Sequence, residues 1–290
     1  MVISKEQNSD IILYLPESLE EALEVISKED TIILAGGTDL MVRRKRPSGL
    51  IPKFDKNTVF IANLQELKKI YIEREYLNIG TACTFSKITD SELVPEYFKV
   101  VIKDIASPAI RNTATIGGNV CNASPAADIL PLLYALEAEL VVQNTKGKRV
   151  VFIEDFIAGP GKHILGSDEV LREIRIPIVN FNKYYYKKVG TRKATAISKL
   201  SFIGFIAVDQ DIIKDVRIAF GAVAPTIVKS KKVENELIGQ NINEISNMSE
   251  DIIEEYSDLI NPIDDQRSSK EYRKQVAKNL LIDFLGLNKE

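Results

Sequence analysis

The chain has 290 residues, of which 45% are hydrophobic and 27% charged, so it is long enough to form two or three packed units of ordinary globular composition. A formal charge of −3 argues against a nucleic-acid partner, because domains that bind nucleic acids usually carry a strongly basic surface. No apolar run reaches the length of a membrane span and the first residues show no signal-peptide pattern, so we expect no membrane partner and a cytoplasmic location.

The first predicted elements form a small strand–helix–strand unit. A strand is expected at 11–15, and Ser18 with Glu21 forms a capping box for the helix that follows. A second strand at 31–35 leads into a Gly-Gly turn, and a short helix is expected to begin at Leu40 directly after that turn.

The middle of the chain alternates short strands with helices. Turn residues separate the segments that are rich in β-formers, and the apolar spacing predicts helices between them. The predicted elements are strands at 59–62, 70–72 and 76–79, helices at 95–106 and 127–136, and a hairpin of 140–143 with 149–153.

After a boundary near Pro177, the pattern predicts an antiparallel sheet followed by three helices. The predicted strands are 184–189, 201–208 and 216–220, with a turn at 209–211. The last helix is expected to span 268–285 and to present one apolar face, made of Tyr272, Val276, Leu280 and Phe284.

The sequence offers few groups for metal or hydrolytic chemistry. Cys83 and Cys121 are the only cysteines, so the chain cannot supply the four thiolates of an iron–sulfur cluster, and we interpret both as small buried hydrophobes. His163 is the only histidine; it lies in a predicted loop, and no G-x-S-x-G motif accompanies it, which argues against a hydrolase. We therefore expect no metal on this chain, and any redox chemistry needs an organic cofactor.

Two predicted Gly-Gly turns are the most informative feature. The first spans 35–40 (Ala-Gly-Gly-Thr-Asp-Leu) and the second spans 115–119 (Thr-Ile-Gly-Gly-Asn). Glycine lets the backbone approach a ligand closely, and successive N–H groups in such a turn form a concavity for an anion. Neither turn contains the lysine of a P-loop, and two of them suggest one extended ligand held at two places. A dinucleotide bridged by a pyrophosphate meets that requirement.

Taken together, these segments resemble the FAD-binding subunits of the molybdenum hydroxylases, the family that includes the flavin parts of xanthine, carbon monoxide and nicotinate dehydrogenases. The two glycine turns are similar to its two flavin loops, the second of which extends through 123–128. Later similarities are the Lys188-x-x-x-Arg192 segment, the small-residue turn at 220–226 and the start of the last helix at 267–273. The resemblance covers nearly the whole chain.

The resemblance implies an α+β fold that consists of a vanillyl-alcohol-oxidase (PCMH)-type FAD-binding domain and a C-terminal domain of antiparallel sheet and helices. The implied limits are 1–176 for the FAD-binding domain, with subdomains at about 1–55 and 56–176, and 177–290 for the C-terminal flavoprotein domain. The fold is not a Rossmann fold, and the sequence agrees, because neither glycine turn extends to G-x-G-x-x-G with an acidic residue about 20 positions further on.

The resemblance also implies which residues bind FAD. Backbone amides of 32–39 and 115–119 would hold the pyrophosphate and ribose, and Thr38 and Asn119 would add side-chain hydrogen bonds. No catalytic residue is assigned, because FAD would carry the hydride and the protein would orient it. The predicted cofactor-binding residues are Ile32, Ile33, Leu34, Ala35, Gly36, Gly37, Thr38, Asp39, Thr115, Ile116, Gly117, Gly118, Asn119, Ser124, Asp128, Leu171 and Lys188.

Several of these residues have a second interpretation. The Asp128 carboxylate suits the two hydroxyls of the adenosine ribose, and it equally suits the N-cap of the helix that begins at Ile129. Lys188 matches a position beside the flavin ring, where a cation would stabilise the reduced flavin, or it is a solvated lysine on a strand edge. Leu171 matches a family contact to FAD and is otherwise an apolar strand residue. The basic run at 43–46 is interpreted as a solvated face.

The function implied by the resemblance is an FAD-binding electron-transfer subunit of a multi-subunit molybdenum hydroxylase of the xanthine dehydrogenase type. A molybdopterin-binding large subunit would oxidise CH or CH2 groups of a heterocycle such as a purine. Electrons would pass through two [2Fe–2S] clusters on a small iron–sulfur subunit to the FAD of this chain and then to NAD. Two alternatives stay open: a stand-alone flavin-dependent oxidoreductase of the same superfamily, and a non-enzymatic nucleotide-binding scaffold.

Overall fold

The computed structural model describes residues 2–5, 11–47, 50 and 52–286, so the predicted domain ends at residue 1 and at 287–290 lie outside the described residues. The elements of the N-terminal unit are β1 (Val2–Lys5), β2 (Ile12–Tyr14), α1 (Leu19–Lys28), β3 (Thr31–Leu34), α2 (Leu40–Arg43) and β4 (Asn57–Phe60). The strands form one sheet in the order β1-β2-β4-β3, in which β1 and β2 are antiparallel and the other pairs are parallel.

Helix α1 forms where the capping residue predicts it and closes one face of this sheet. The Ser18 hydroxyl accepts a hydrogen bond from the Glu21 N–H (3.1 Å), which satisfies one of the free amides at the helix start. Leu23 and Ile26 on the apolar stripe of α1 are buried in the same cluster as Val59 of β4. Burial of this stripe anchors the helix and leaves the carboxyl end of β3 uncovered for the glycine turn that follows.

The central unit is built on an antiparallel sheet with helices on one side. Its elements are β5 (Ile70–Glu73), β6 (Tyr76–Gly80), α3 (Phe85–Asp90), α4 (Glu96–Lys103), α5 (Pro108–Arg111), α6 (Ile116–Asn122), α7 (Ile129–Ala135), β7 (Glu139–Asn144), β8 (Gly147–Phe152), α8 (Ile153–Phe156), β9 (Ile157–Gly159), β10 (Lys162–His163) and β11 (Val170–Pro177). The strand order is β5-β6-β11-β7-β8, and β9 pairs with β10 in a separate small hairpin.

The C-terminal unit follows the predicted order of sheet and then helices. Its elements are β12 (Lys183–Val189), β13 (Leu200–Asp209), β14 (Ile212–Gly221), α9 (Lys231–Leu237), α10 (Ser249–Leu259) and α11 (Lys270–Leu285), with a 3₁₀ helix at Ile242–Met248. The three strands are antiparallel in chain order. The predicted turn between β13 and β14 is confirmed, since Gln210 and Asp211 have φ values of +48° and +62° that only a tight turn accommodates.

Helix α7 joins the central and C-terminal units. All of its residues from Ile129 to Ala135 are buried, because α7 contacts β13 and β14 as well as the helices of its own unit. Ile203 and Phe205 of β13 and Ala219 of β14 belong to the same hydrophobic cluster as the central sheet. The two units therefore share one core, which fixes the C-terminal sheet against the segment that precedes α7.

The predicted apolar face of α11 is largely confirmed: Leu280 is buried, and Val276 and Phe284 pack against the C-terminal core, but Tyr272 does not belong to it. The buried residues of this helix are Arg273, Ala277, Leu280, Leu281 and Leu285, whereas Tyr272 is 43% exposed. Arg273 is buried because its guanidinium donates to the carbonyl oxygens of Lys199 (2.8 Å) and Ala222 (3.0 Å) and to the carboxylate of Asp265 (2.7 Å). Hydrophobic spacing does not register a buried arginine, so the sequence did not place Arg273 on the packed side of α11; its Nε has no partner among the described residues.

Candidate functional site

A cavity of about 480 Å³ lies where the N-terminal unit meets the central unit. Its walls come mainly from three segments, at 31–43, 114–122 and 161–171, which are far apart in the chain. A volume of this order is typical of small-molecule and cofactor sites, which range over roughly 300–1,000 Å³. Both glycine pairs lie in the walls, so the structure brings the two predicted flavin loops to one cavity.

The first glycine pair forms the turn that the sequence predicts. Strand β3 ends where the Leu34 carbonyl accepts from the Ile61 N–H (2.9 Å), and Gly37 then adopts φ +69°, a value that glycine accepts without strain. The N–H groups of residues 36–39 have no acceptor anywhere in the described residues. Successive free amides in such a turn make a concavity that suits a phosphate oxygen.

Gly36 determines how closely the turn at 36–39 approaches the segment that leads into α6. A Cβ atom at this position would lie 2.2 Å from the carbonyl oxygen of Thr113 and 3.0 Å from the Cα of Ala114. Both contacts are to backbone, which cannot rotate away as a side chain can. Only glycine allows the first turn to lie directly against the segment that leads into α6.

The second glycine pair is not a turn, and the prediction is corrected here. Gly117 and Gly118 lie in the first turn of α6, whose N-cap is Thr115, and neither has a positive φ. The amides of 116–119 are already bonded within the chain; the Gly117 N–H donates to the Thr81 carbonyl (3.0 Å) and the Gly118 N–H to the Thr115 hydroxyl (3.2 Å). A Cβ at Gly117 would lie 2.4 Å from the Cβ of Thr81, so this glycine permits close packing of α6.

Two side-chain oxygen atoms of residues that line the cavity lack a hydrogen-bond partner. The hydroxyl of Thr31 and the side-chain oxygen of Asn119 are buried, and the described residues supply no hydrogen bond to either. An unpaired buried polar group costs about 1–3 kcal/mol, which a ligand that donates to these oxygens would remove. FAD fits this donor set, because its pyrophosphate can accept from the free amides of 36–39 while its hydroxyl, amino and ring N–H groups can donate.

Most of the predicted cofactor-binding residues line this cavity. Those in the walls are Ile33, Leu34, Ala35, Gly36, Gly37, Thr38, Asp39, Thr115, Gly117, Gly118, Asn119 and Leu171. Those outside the walls are Ile32, Ile116, Ser124, Asp128 and Lys188. Side chains alternate along β3, so the one at residue 32 faces away from the cavity that its two neighbours line. Contact of each residue with FAD stays a prediction.

Asp128 and Lys188 form a buried ion pair between the central and C-terminal units. The Lys188 ammonium lies 2.7 Å from a carboxylate oxygen of Asp128, and the two side chains are 9% and 6% exposed. The second carboxylate oxygen accepts from the Ser198 hydroxyl (2.5 Å), and the ammonium also donates to the Asp104 carbonyl (2.7 Å). Both charges are therefore paired and hydrogen-bonded, as buried charges must be.

The ion pair excludes two interpretations that the sequence left open: Asp128 as a helix N-cap and Lys188 as a solvated lysine. Asp128 occupies the N-cap position of α7, but its side chain makes no capping bond, and Lys188 is not solvated. Burial raises the pKa of Asp128, and the adjacent Lys188 ammonium opposes that rise. The hydroxyl of Tyr186, two residues earlier on β12, is buried without a hydrogen-bond partner in the described residues; burial and the charges of Asp128 and Asp104 raise its pKa.

Thr31, Arg43 and His163 are among the cavity residues that the sequence did not predict. Thr31 could have been found, because strand alternation places it on the same face as residues 33 and 35, both of which were predicted to bind. Arg43 is exposed, as expected of the basic run, but its guanidinium donates to the Asn122 side chain (2.5 Å) and so connects α2 to α6 at the cavity. His163 lies on β10 and not in a loop. Strands of two and three residues are too short to show periodicity.

The cysteines contribute no reactive thiolate. Cys83 is buried as predicted, and burial raises its pKa to about 11. Cys121 is only partly buried and lines the cavity; its pKa is raised to about 12 by the same cause. Over the described ranges, no group of three His, Cys, Asp or Glu side chains is placed to hold a metal ion. Nor does any helix within those ranges have the length and apolar character needed to cross a membrane.

Comparison with known proteins decides the family. Residues 7–179 match the model of the FAD binding domain in molybdopterin dehydrogenase, and residues 184–287 match the CO dehydrogenase flavoprotein C-terminal domain. The chain belongs to the FAD-binding subunits of the molybdenum hydroxylases. It is 31% identical to the glyceraldehyde dehydrogenase medium chain of Sulfolobus acidocaldarius over 270 residues, which cover 92% of this chain and 94% of that protein. It is 28% identical to the nicotinate dehydrogenase FAD-subunit of Eubacterium barkeri over 298 residues, which cover 95% and 96%.

Solved structures of the family share the fold. Quinoline 2-oxidoreductase from Pseudomonas putida 86 superposes with a TM-score of 0.84 at 23% identity over 97% of both chains. Carbon monoxide dehydrogenase from Hydrogenophaga pseudoflava superposes with a TM-score of 0.84 at 24% identity over 93% of both chains. The predicted α+β fold, a PCMH-type FAD-binding domain with a C-terminal flavoprotein domain, is confirmed, and the chain is the FAD subunit of an oxidoreductase of this family. The domain limits proposed from the sequence stay a prediction.

Proposed function

We propose that this flavoprotein subunit works in a multi-subunit molybdenum hydroxylase of the xanthine dehydrogenase type. In this proposal a molybdopterin-binding large subunit oxidises the substrate, a small subunit carries two [2Fe–2S] clusters, and NAD is the final acceptor. We further propose a cytoplasmic location for the complex. This chain would bind the FAD that connects the clusters to NAD.

The observation that carries the FAD assignment is the donor and acceptor set of the cavity. Four successive amides at 36–39 have no acceptor among the described residues, and two wall oxygens, on Thr31 and Asn119, have no donor there. A ligand that satisfies both sets must combine anionic oxygens with hydroxyl or amino groups. A dinucleotide has this combination, whereas a simple phosphate would leave the wall oxygens unpaired.

Each part of the chain has a distinct task in this proposal. The amides at 36–39 would hold the pyrophosphate, and Gly36 would keep the turn against the segment before α6. Lys188 would place a positive charge beside the flavin ring, with Asp128 fixing its ammonium in one position, and Asp128 would then serve the flavin end and not the adenosine ribose that the resemblance implies. When bound, FAD supplies the capacity to accept and release electrons, while the protein binds and orients it.

The small number of cysteines supports the proposed division of labour. The whole chain contains two, and a [2Fe–2S] cluster held by thiolates needs four. The clusters are therefore assigned to a partner chain. This argument concerns ligand supply and does not depend on which substrate the large subunit oxidises.

The FAD assignment is tested by purifying the full chain and recording its absorption spectrum before and after FAD is added. We expect flavin bands without iron absorption and a dissociation constant in the micromolar range or tighter. A matched pair of variants, Thr31→Val and Thr58→Val, separates the cavity hydroxyl from a buried threonine hydroxyl elsewhere in the same unit. A colourless chain that does not take up added FAD contradicts the assignment.

The electron path needs the complex and not the isolated chain. Co-purification from the source cells, with identification of the associated chains, should recover a molybdopterin subunit and an iron–sulfur subunit. NADH should reduce an artificial acceptor in an FAD-dependent manner, which tests NAD as the acceptor. Reduction of the flavin by an organic substrate in the isolated chain would instead favour a stand-alone oxidoreductase. FAD binding without NADH oxidation or partner chains would favour a nucleotide-binding scaffold.

A further inference from the structure

His163, the only histidine, stands in the wall of the cavity in a fixed orientation. Its ring stacks on that of Phe156, with centroids 5.6 Å apart and an interplanar angle of 19°. Its Nδ1 accepts a hydrogen bond from the Leu165 N–H (3.3 Å). In the neutral ring this bond assigns the proton to Nε2, because one imidazole nitrogen accepts and the other donates.

The Nε2–H of His163 is a donor without an acceptor. The described part of the chain supplies no hydrogen bond to it, and His163 is only partly buried and lines the cavity. Glu169, a carboxylate in the same wall segment, accepts from Nε and Nη2 of Arg149 (2.7 Å each) and from the Gly166 N–H (2.8 Å). Burial lowers the pKa of His163 below its usual value of 6.5, which keeps the ring neutral near pH 7.

We infer that His163 donates a hydrogen bond from Nε2 to the ADP half of the bound dinucleotide and is a specificity-determining residue for that half. The inference rests on the proposed FAD function. The donor is the neutral ring of His163, which carries its proton on Nε2. The acceptor is a ring nitrogen, a ribose oxygen or a phosphate oxygen of the ADP moiety.

The residues that line the cavity suit the ADP half of the ligand better than the flavin half. The free amides at 36–39, which suit a pyrophosphate, lie in the same walls as His163. Ile33, Ile61 and Leu165 add aliphatic surface of the kind that a flat purine ring covers. Lys188, which the proposed function places beside the flavin ring, does not line this cavity. The flavin ring therefore belongs near the ion pair of Lys188, and the cavity takes the other end of the ligand.

Two substitutions of His163 test the hydrogen bond from Nε2 separately from the one that Nδ1 accepts. His163→Asn keeps an oxygen near Nδ1, able to accept from the Leu165 N–H, but has no atom at Nε2. His163→Gln extends an amide N–H to about the Nε2 position. The control is Lys162→Gln, which changes the exposed neighbour on β10 that does not line the cavity. All variants are made in the full chain, with urea unfolding as the test that each is folded.

The measurement is FAD affinity by quenching of flavin fluorescence, together with ADP affinity by competition against FAD. We expect His163→Asn to weaken FAD and ADP by the same factor of about five, the loss of one hydrogen bond, and His163→Gln and the control to remain near wild type. Equal affinity of wild type and His163→Asn overturns the inference. So does a loss for FAD that ADP does not share, or a failure of ADP to displace FAD from the wild type. Absence of FAD binding in the wild type instead contradicts the proposed function.

Discussion

Substitution of Gly36 by alanine tests the geometry on which the cavity depends. The new Cβ would lie 2.2 Å from the Thr113 carbonyl oxygen, whereas real Cβ atoms essentially never approach a heavy atom within 3.0 Å. One of the two segments must therefore move by at least 0.8 Å, the difference between these distances. Because the neighbour is backbone, the movement displaces the whole turn at 36–39 from the segment before α6.

The expected cost follows from that displacement. Overpacking of a well-packed site typically costs 1–3 kcal/mol, and misplaced amides lose part of their bonds to the pyrophosphate. We expect Gly36→Ala to lower the free energy of unfolding by about 2 kcal/mol and to weaken FAD binding at least tenfold, which corresponds to about 1.4 kcal/mol. Urea unfolding of the FAD-free chain measures the first quantity, and flavin fluorescence titration measures the second.

Gly161→Ala is the matched control for Gly36→Ala. Gly161 also lines the cavity and has φ +69°, but nothing lies within 4 Å of an added Cβ. Alanine there adds left-handed strain of about 1–2 kcal/mol without a clash, so stability should fall while FAD affinity stays near wild type. If Gly36→Ala binds FAD as tightly as this control does, the two segments do not meet at the ligand and the reasoning is refuted.

Three further predictions concern other groups of the site. Lys188→Met leaves the Asp128 carboxylate buried without its cation, so urea unfolding should show a loss of about 3–5 kcal/mol, most of which is recovered when Asp128→Asn is added. Thr31→Val removes a buried hydroxyl that has no partner in the described residues, so the unfolding free energy of the FAD-free chain should rise by about 1–3 kcal/mol, while calorimetry shows FAD affinity about fivefold weaker. Burial lowers the pKa of His163 in the folded state, so the unfolded state binds a proton first as the pH falls below 6.5. Over that pH interval the wild type should lose stability relative to His163→Asn. Urea titrations at a series of pH values measure this difference.

Each of these predictions has an outcome that contradicts it. A loss below about 1 kcal/mol for Lys188→Met would mean that the ion pair is solvated and not buried. Destabilisation of the FAD-free chain by Thr31→Val would mean that its hydroxyl has a protein partner. A stability difference between wild type and His163→Asn that does not change with pH would place the histidine in an environment where its pKa is the same folded and unfolded.

Local signals in the sequence were sufficient for features that depend on a few neighbouring residues. The capping of α1 by Ser18 and the glycine turn at 36–37 formed as predicted, because a cap bond and a positive φ are decided within about one turn of chain. The count of cysteines and histidines restricted the chemistry to an organic cofactor without any structural information. The resemblance then identified the family, which the comparisons confirmed.

The tertiary structure decided what depends on contacts between distant segments. The second glycine pair begins a helix that the Thr115 hydroxyl caps, but where this helix packs is fixed by the Thr81 carbonyl, which belongs to another segment and accepts from the Gly117 N–H. The partner of Asp128 is Lys188, 60 positions further along the chain, and neither residue carries a local sign of the other. His163 enters the cavity wall only because the short hairpin of β9 and β10 packs beside α6. Such contacts leave no period in the sequence, since they follow from how complete units pack and not from the order of neighbouring side chains.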